Sequence, residues 1–252
     1  MAGNTARPGA SVTSRALAVL AAFDSSHREL TLSALAVRAG LPLSTTHRLL
    51  AELVAWGALT RTDAGSYVIG RRVWDLGLLA PVESVLRERA SPYLHDLYGA
   101  TLATAHLAVR DDDRVLYIDR LRGNTSVPIV SRVGSRLPLH ATGVGKVLLA
   151  HAPEPVQRTV LGNLTRVTPY TITQPGHLRR QLSRVLSDGF ATTTEEMSLG
   201  ACSVAVPVRE NGQVVAALGL VVPSLKHERA RLVGALQVAA RGIGRRLGSD
   251  VS

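Results

Sequence analysis

The sequence is poor in three features that would each point to a particular kind of protein. Cysteine occurs once, at Cys202, so the chain cannot form an internal disulfide or a cysteine-rich metal site. Aromatic residues make up 4%, too few for the stacking platforms that bind single-stranded nucleic acid. There is no run of 18 uncharged apolar residues, so we predict no membrane span. Residues 1–11 are polar and unlike a signal peptide, and we expect a cytoplasmic protein with a disordered N-terminal tail.

The chain does have a large apolar fraction and a positive charge. Apolar residues make up 46% of the 252 residues, enough for a substantial core. The 29 basic and 19 acidic residues give a formal net charge of +10. Residues 1–72 carry eight Arg against four acidic residues, a net charge of +4. Such a balance favours a polyanionic partner such as nucleic acid. A general preference for Arg over Lys explains part of the positive charge. Charge alone is therefore also compatible with an ordinary solvated surface that binds no nucleic acid.

Residues 12–72 begin with two short helical patterns. Apolar residues recur near a helical period over residues 12–24. A second helix is predicted over residues 31–39, with Thr31 as the N-cap and Gly40 as the terminating residue. Both helices are short.

A third helix and a hairpin follow within a few residues. Pro42 cannot continue the second helix, and Ser44 is predicted to cap a new one that ends at Gly57. Two β-prone runs flank Asp63-Ala64-Gly65, which predicts a hairpin. Three helices with a four-residue connection, followed by a hairpin, predict a winged helix-turn-helix over residues 12–72. The buried stripe of the third helix is predicted to consist of Leu49, Leu50, Leu53 and Val54.

This stripe fixes which side chains of the third helix face outward. Arg48 is the best candidate for a bidentate contact with guanine in a major groove. Arg61, at the base of the wing, suits a phosphate, as do Arg71 and Arg72. The alternative is a surface helix with an ordinary cap and solvated arginines. The residues predicted to meet base edges or phosphates near the helix start are Ser44, Thr45, His47 and Arg48.

The remaining residues predict a linker and a second domain. Residues 73–90 are predicted to form a linker helix with a break at Pro81, and Ser91-Pro92 is predicted to start another helix. Residues 91–249 predict an α+β domain around an antiparallel sheet flanked by helices. The predicted strands cover residues 101–110, 114–121, 126–133, 189–194, 202–209 and 213–222. The predicted helices cover residues 142–151, 154–161, 175–187 and 224–247.

The stretch LPLHATGVGKVLLA, residues 137–150, contains a glycine-rich turn and a lysine. A phosphate-binding P-loop would require Gly where His140 stands and Ser or Thr where Val147 stands. The pattern therefore does not predict a nucleotide site. It predicts a helix that begins after Thr142, and free N–H groups at a helix start can attract a carboxylate near Gly143-Val144. A tight helix entry that needs glycines for packing is the alternative.

An enzyme is the rival function class. Cys202, Ser203, His106 and His140 supply the residue types for acyl transfer, but no nucleophile-elbow motif contains them, and a core or hairpin thiol is the better interpretation. Glu195-Glu196 is more simply a solvated loop than a paired acid site. The eight histidines show no metal-ligand spacing, and no cofactor or metal is predicted. A third class, a basic protein that binds DNA without sequence preference, would not need a second domain with a pocket.

The motifs taken together resemble the IclR family of bacterial transcriptional regulators over residues 11–247. The resemblance rests on LPLSTTHRLLAEL and G-x-L-x-R…Y-x-I-G in the N-terminal part. In the C-terminal part it rests on VSRVGSRLPLHATGVGKVLLA and GF…EEMSLGACSVAVPV. It implies a winged helix-turn-helix, a linker helix and a GAF-like effector-binding domain. It also implies dimers or dimers of dimers on near-palindromic operators that control genes for the catabolism of small acids, aromatics or sugars.

The resemblance further implies an effector pocket whose residues can be named. Gly143-Val144 stands where relatives that bind small keto acids have Gly-Ala, and Thr193 stands where they have an acidic residue. Ser203 corresponds to a Cys or Ser. Gly219 and Val221 correspond to two serines of some relatives. The loss of two hydroxyls and an acid predicts a larger or more apolar effector, an aromatic or acyl acid rather than a two-carbon keto acid.

One position of the third helix departs from the family. Thr46 stands where many relatives have an apolar residue, and we expect it to be partly buried with little effect on its contacts.

Overall fold

The computed structural model describes most of the chain. The described residues are 11–24, 26–79, 84–123, 127–128 and 130–248. The chain forms two compact units, Met1–Val82 and Glu83–Ser252. The predicted disordered tail lies outside the described residues except for Ser11, which caps the first helix. The predicted break at Pro81 also lies outside them, and the domain boundaries at residues 72/73 and 90/91 stay predictions.

The described part of the N-terminal unit is a winged helix-turn-helix, as predicted. Its strands form one antiparallel sheet in the order β1-β3-β2, in which β2 and β3 are the predicted hairpin. The sequence analysis did not predict β1, which has two residues. In chain order the elements are α1 (Val12–Leu20), β1 (Glu29–Leu30), α2 (Leu32–Ala39), α3 (Leu43–Trp56), β2 (Leu59–Arg61), β3 (Tyr67–Ile69) and α4 (Arg71–Leu78).

The ends of α2 and α3 follow from local signals, with one exception. Thr31 Oγ1 accepts a hydrogen bond from Ala34 N at 3.3 Å, and Gly40 ends α2 in the left-handed conformation, as predicted. Gly57 ends α3 in the same way. The prediction that Ser44 caps α3 is wrong. The cap is Pro42, two residues earlier, and the helix begins at Leu43. The fixed φ and missing N–H of Pro42 suit a helix start without a side-chain cap.

Thr46 is more buried than predicted. Its exposed fraction is 0%, and its Oγ1 donates a hydrogen bond to Pro42 O at 3.1 Å. The hydroxyl is therefore satisfied within the helix, which is how a polar residue can occupy a core position. Leu49 and Leu50 are buried as predicted, whereas Leu53 and Val54 are half-buried.

The C-terminal unit is built on one six-stranded sheet. All neighbouring strands are antiparallel, in the order β6-β5-β4-β9-β8-β7. In chain order the elements are α5 (Ser84–Thr101), β4 (Thr104–Asp111), β5 (Arg114–Leu121), β6 (Arg136–Pro138), a 3₁₀ turn (Leu139–Ala141), α6 (Gly143–Ala150), α7 (Glu154–Gly162), α8 (Pro175–Asp188), β7 (Ala191–Thr194), β8 (Cys202–Glu210), β9 (Gln213–Val222) and α9 (Arg229–Gly248).

The two faces of this sheet carry different side chains. Larger apolar residues such as Leu107 and Leu218 lie on the face that packs against α5 and α9. Small residues such as Ala108, Ala205 and Ala217 lie on the opposite face. This second face packs against α6, all eight residues of which are buried. An α-helix can approach a sheet closely where the sheet presents small side chains, so this alternation positions α6.

The helix predicted to start at Ser91-Pro92 begins at Ser84 instead. Pro92 lies inside α5, although it removes one intrahelical hydrogen bond. Buried residues before and after the proline belong to the same core as α9. Their packing keeps the helix continuous through Pro92. These buried residues are Leu86, Ala90, Leu94 and Leu97.

Two further predictions about elements are wrong. The strand predicted over residues 126–133 is absent from the described part of that segment, and β6 pairs with β5 in its place. Pro128 cannot donate to a strand ladder, which disfavours pairing there. The last helix begins at Arg229 rather than at Ser224. Ser224 Oγ accepts a hydrogen bond from Lys226 N at 3.3 Å, a local turn that competes with helix formation.

Candidate DNA-contacting surface and effector pocket

The outward face of α3 carries the side chains predicted to contact DNA. Ser44, His47 and Arg48 are exposed and Thr45 is half-buried. Arg48 forms no hydrogen bond or ion pair with any residue that the structure describes, so its guanidinium is available to a partner. Short polar side chains in the first turns of a helix, followed by an unengaged Arg, match the composition of a recognition helix.

The three arginines predicted to contact phosphate differ in their surroundings. Arg61 is exposed on β2, with its guanidinium 6.0 Å from the centre of the Tyr67 ring. The Arg71 side chain is 87% exposed. Arg72 instead lies over the Trp56 ring at 4.4 Å and donates to Trp56 O at 3.3 Å. A stacked and hydrogen-bonded Arg72 stabilises the unit itself, so the phosphate role stays a prediction for Arg61 and Arg71.

All six residues predicted to bind an effector line one cavity of the C-terminal unit. Its floor is the small-residue face of the sheet, and one wall is the N-terminal end of α6. The space open to the centres of water-sized molecules is about 60 Å³. On this measure one water needs about 10–15 Å³, so the space holds a few waters. Each water occupies about 30 Å³ in the liquid, so the same space suits one ring-sized molecule. The six residues are Gly143, Val144, Thr193, Ser203, Gly219 and Val221.

Strand register explains why residues distant in the chain meet here. Ser203 on β8 pairs with both Thr193 on β7 and Val221 on β9. Side chains of paired residues lie on the same face of a sheet, so these three point together into the cavity. The hydroxyl oxygens of Thr193 and Ser203 lie 2.6 Å apart and share a hydrogen bond.

Two glycines keep the cavity open. A Cβ atom on Gly219 would lie 2.8 Å from Val144 Cγ1, and one on Gly143 would lie 2.6 Å from Ser203 Oγ. Both distances are shorter than van der Waals contact allows. The missing side chains therefore let α6 approach the sheet while the remaining space stays available to a ligand.

The start of α6 lines the cavity. Thr142 caps the helix: its Oγ1 accepts from Gly145 N at 3.1 Å, and its O accepts from Lys146 N at 2.9 Å. The N–H groups of Gly143 and Val144 precede these and have no acceptor within a helix. They lie at the positive end of the helix dipole, which favours an anionic ligand group there.

Lys146, the lysine of the glycine-rich stretch, is buried and does not face the cavity. Its Nζ lies 2.6 Å from Glu196 Oε1 and 2.5 Å from Gln181 Oε1. The side chains of Lys146 and Glu196 are 1% and 7% exposed. The interpretation of Glu195-Glu196 as a solvated loop is therefore wrong for Glu196. A P-loop lysine contacts a bound phosphate, whereas Lys146 pairs with a buried carboxylate, so this stretch is not a P-loop.

This ion pair holds the loop that follows β7. Thr171 Oγ1 donates to Glu196 O at 2.7 Å, and Thr168 Oγ1 donates to Glu195 O at 2.7 Å. The next two residues, Met197 and Ser198, line the cavity. The pair thus connects α6, which forms one wall of the cavity, to the loop that forms another.

His106 completes the floor of the cavity and was not predicted as an effector residue. It lies on β4 next to Gly219 and is 3% exposed. Its Nε2 lies 2.8 Å from Ser131 Oγ, and its ring packs edge-to-face on Tyr117 at 5.1 Å. Burial, with a smaller effect from the Arg120 charge, lowers the pKa of His106 from 6.5 to about 3. The imidazole is therefore uncharged at neutral pH.

The lowered pKa of His106 predicts that acid destabilises the protein. Between pH 6.5 and about 3 the unfolded chain binds the proton and the folded chain does not. The contribution of His106 to the free energy of unfolding is therefore fully present above its pKa in the unfolded chain, 6.5. It is lost as pH falls toward its pKa in the folded chain, about 3. From pH 7.5 to pH 5 this group alone should lower the free energy of unfolding by about 2 kcal/mol.

Urea denaturation at several pH values checks this prediction. The His106→Phe variant keeps the carboxylates that also titrate in this range but lacks the imidazole. Its free energy of unfolding should fall less between pH 7.5 and pH 5 than that of the wild type. Equal pH dependence of the two proteins would show that His106 accepts a proton in the folded state.

The residues considered for acyl transfer are not arranged for it. Cys202 belongs to the core on the α5 and α9 face, whereas Ser203 on the opposite face is bonded to Thr193. His140 Nε2 contacts Thr165 O at 2.9 Å. Within the described ranges there is no group of three or more His, Cys, Asp or Glu residues that could hold a metal ion. Nor is any described helix long and apolar enough to cross a membrane.

Comparison with known proteins identifies both units. The IclR helix-turn-helix domain matches residues 12–63, and the family described as "Bacterial transcriptional regulator IclR C-terminal" matches residues 82–245. The HTH-type transcriptional regulator XynR of Escherichia coli strain K12 is 32% identical over 241 residues, which cover 93% of this chain and 96% of XynR.

Solved structures agree with this result. An IclR homolog from Microbacterium hydrocarbonoxydans, crystallised with 4-hydroxybenzoate, superposes with a TM-score of 0.90. It is 36% identical, and the match covers 95% of this chain and 100% of that one. A putative transcriptional regulator from Rhodococcus sp. RHA1 has a TM-score of 0.83 and 29% identity, with 94% and 98% of the chains covered.

These relatives are regulators of transcription rather than enzymes, which confirms the choice between the two function classes. They also support an effector-responsive regulator over a nonspecific basic DNA-binding protein. The chain belongs to the IclR family of bacterial transcriptional regulators.

Proposed function

We propose that this regulator senses a single-ring aromatic carboxylic acid, and that the bound acid changes its affinity for an operator. The observation that carries the proposal is the composition of the cavity. One end offers the N–H groups of Gly143 and Val144, which suit a carboxylate. On the floor, Gly219 leaves space for a ring and Val221 gives that ring an apolar contact.

The size and polarity of the cavity favour a ring acid over a two-carbon keto acid. A keto acid presents polar atoms at every position and would leave some of them without partners beside Val221, at a cost of about 1–3 kcal/mol each. A ring would fill the space under Val144 and contact apolar walls. The 4-hydroxybenzoate bound to the Microbacterium homolog is an acid of this class.

The operator is contacted by α3, which reaches base edges, and by basic residues that bind phosphates. Ser44, Thr45, His47 and Arg48 enter a major groove, while Arg61 and Arg71 hold phosphates. The protein acts in the cytoplasm as a homodimer or tetramer on a near-palindromic operator. Two-fold symmetry requires inverted half-sites, and helix-turn-helix dimers place them about one helical turn apart. The genes it controls serve the catabolism of the effector.

The effector changes DNA affinity through its differential affinity for two arrangements of the dimer. Coupling of this kind is typically about 1–3 kcal/mol, or roughly 5- to 150-fold in operator affinity. Fluorescence anisotropy with a labelled operator duplex, with and without the acid, measures this coupling. No change in affinity at saturating acid would contradict the regulatory part of the proposal.

Isothermal titration calorimetry tests the effector class. Benzoate and 4-hydroxybenzoate should bind at least about tenfold more tightly than glyoxylate or pyruvate, because only the ring acids fill the apolar part of the cavity. Tighter binding of either keto acid would overturn the proposal.

A Gly219→Ala variant locates the binding in this cavity. Its methyl group would push the Val144 side chain into the ligand space and should weaken ring-acid binding about tenfold or more. Gly162→Ala is the matched control, because a Cβ there meets nothing within 4 Å. Equal affinities of the two variants would place the ligand elsewhere.

A further inference from the structure

The effector cavity has a second polar end, opposite the start of α6. Register places His106, Gly219 and Ala205 in one row across β4, β9 and β8. Ser203 lies one same-face position along from Ala205, beneath Gly143. Two strand spacings, about 10 Å, therefore separate the imidazole from the strand that carries Ser203. The ring space above Gly219 lies between the strand that carries the imidazole and the strand that carries Ser203.

The imidazole has one nitrogen available to a ligand. His106 Nε2 is hydrogen-bonded to Ser131 Oγ at 2.8 Å. His106 Nδ1 has no hydrogen-bond partner among the residues that the structure describes, although the ring is 3% exposed and lines the cavity. A ligand in the cavity that supplied a partner for this nitrogen would gain the free energy of one hydrogen bond.

The surroundings of His106 fix its ring and its charge. Ser131 is itself held by Arg120, whose Nη1 donates to Ser131 O at 2.6 Å. The edge of the Tyr117 ring packs against the imidazole. Burial raises the pKa of the Tyr117 phenol and lowers that of His106, so both are uncharged at neutral pH. Arg120 is the nearby charged group, and it favours an oxygen atom over a cation at this end.

We infer that His106, positioned by Ser131, is a specificity-determining residue that hydrogen-bonds an oxygen atom of the effector at the end opposite its carboxylate. The inference rests on the proposed function and narrows it. Among ring acids of equal size, the protein selects those with a hydroxyl or carbonyl oxygen in the para position. A para-methyl group would fill the same space but leave Nδ1 without a partner.

Calorimetry with three ligands and two variants tests this inference on the full chain. Wild-type protein should bind 4-hydroxybenzoate about tenfold more tightly than 4-methylbenzoate, an isosteric acid without the oxygen. In His106→Phe this preference should disappear or reverse. His106→Asn, which keeps a hydrogen-bonding group near the Nδ1 position, should retain a preference for 4-hydroxybenzoate.

The outcomes separate this inference from the proposed function. If none of the three ring acids binds the wild type, the proposed function is wrong and the inference falls with it. If ring acids bind but 4-hydroxybenzoate and 4-methylbenzoate bind equally, the inference alone is wrong. A His106→Phe variant that loses affinity for all three acids by the same factor would show a structural role and also overturn it. The wild-type comparison decides the matter even if the variants fail to fold.

Discussion

Replacing Lys146 by Met should lower the free energy of unfolding of the C-terminal unit by about 3–5 kcal/mol, because it leaves the Glu196 carboxylate buried without its partner. Both side chains are almost fully buried, so water cannot replace the lost ammonium. One oxygen of Glu196, Oε2, already has no hydrogen-bond partner among the described residues.

Urea denaturation can assign the loss to the correct unit. Both tryptophans of the chain, Trp56 and Trp74, belong to the N-terminal unit. Tryptophan fluorescence should therefore show an unchanged transition in Lys146→Met, while circular dichroism shows an earlier one for the C-terminal unit. The double variant Lys146→Met with Glu196→Leu should recover most of the stability, because a buried pair can be replaced by apolar residues at little cost.

An exposed ion pair supplies the control for charge removal. Arg158 and Glu154 lie 3.0 Å apart with side chains 65% and 78% exposed. Removal of a pair in this environment costs less than about 1 kcal/mol, so Arg158→Ala should leave both transitions in place. If Lys146→Met were as stable as Arg158→Ala, the buried pair would contribute nothing beyond a surface one, and the account of the loop anchored by Glu196 would be wrong.

Short-range signals account for the parts of the fold that the sequence predicted well. Thr31, Gly40 and Gly57 act within one helical turn, so their roles can be inferred without the rest of the molecule. The start of α3 shows the limit of such signals. Ser44 and Pro42 both suit a helix start, and the choice between them depends on packing, which places Thr46 rather than Ser44 toward the core.

The cavity could be predicted in part because a family resemblance carried information about distant residues. Nothing local connects Gly143 with Ser203 or Thr193, and strand register brings them together. Lys146 and Glu196 are 50 residues apart, and their pairing depends on the completed fold. The residue type of His106 alone suggests acyl-transfer chemistry. Its place on the floor follows from the pairing of β4 with β9.

Arg48→Ala should weaken binding to the specific operator by about 1–3 kcal/mol, or roughly 5- to 150-fold, and should relax the base preference at one position of each half-site. The physical reason is the loss of two parallel hydrogen bonds to a guanine edge. The Arg48 guanidinium is exposed, has no partner among the described residues, and extends from a helix anchored by the buried Leu49 and Leu50. Its removal should therefore not affect folding.

Fluorescence anisotropy measures this effect on a duplex from the region upstream of the gene, with a scrambled duplex as competitor. Arg61→Ala is the informative contrast, because a phosphate contact should weaken both duplexes alike and reduce the salt dependence by about one ion. Arg158→Ala, in the C-terminal unit, controls for the loss of one positive charge. If Arg48→Ala weakens both duplexes equally, Arg48 contacts phosphate and the base readout comes from its neighbours on α3. If it changes neither affinity nor base preference, α3 does not recognise DNA through this residue.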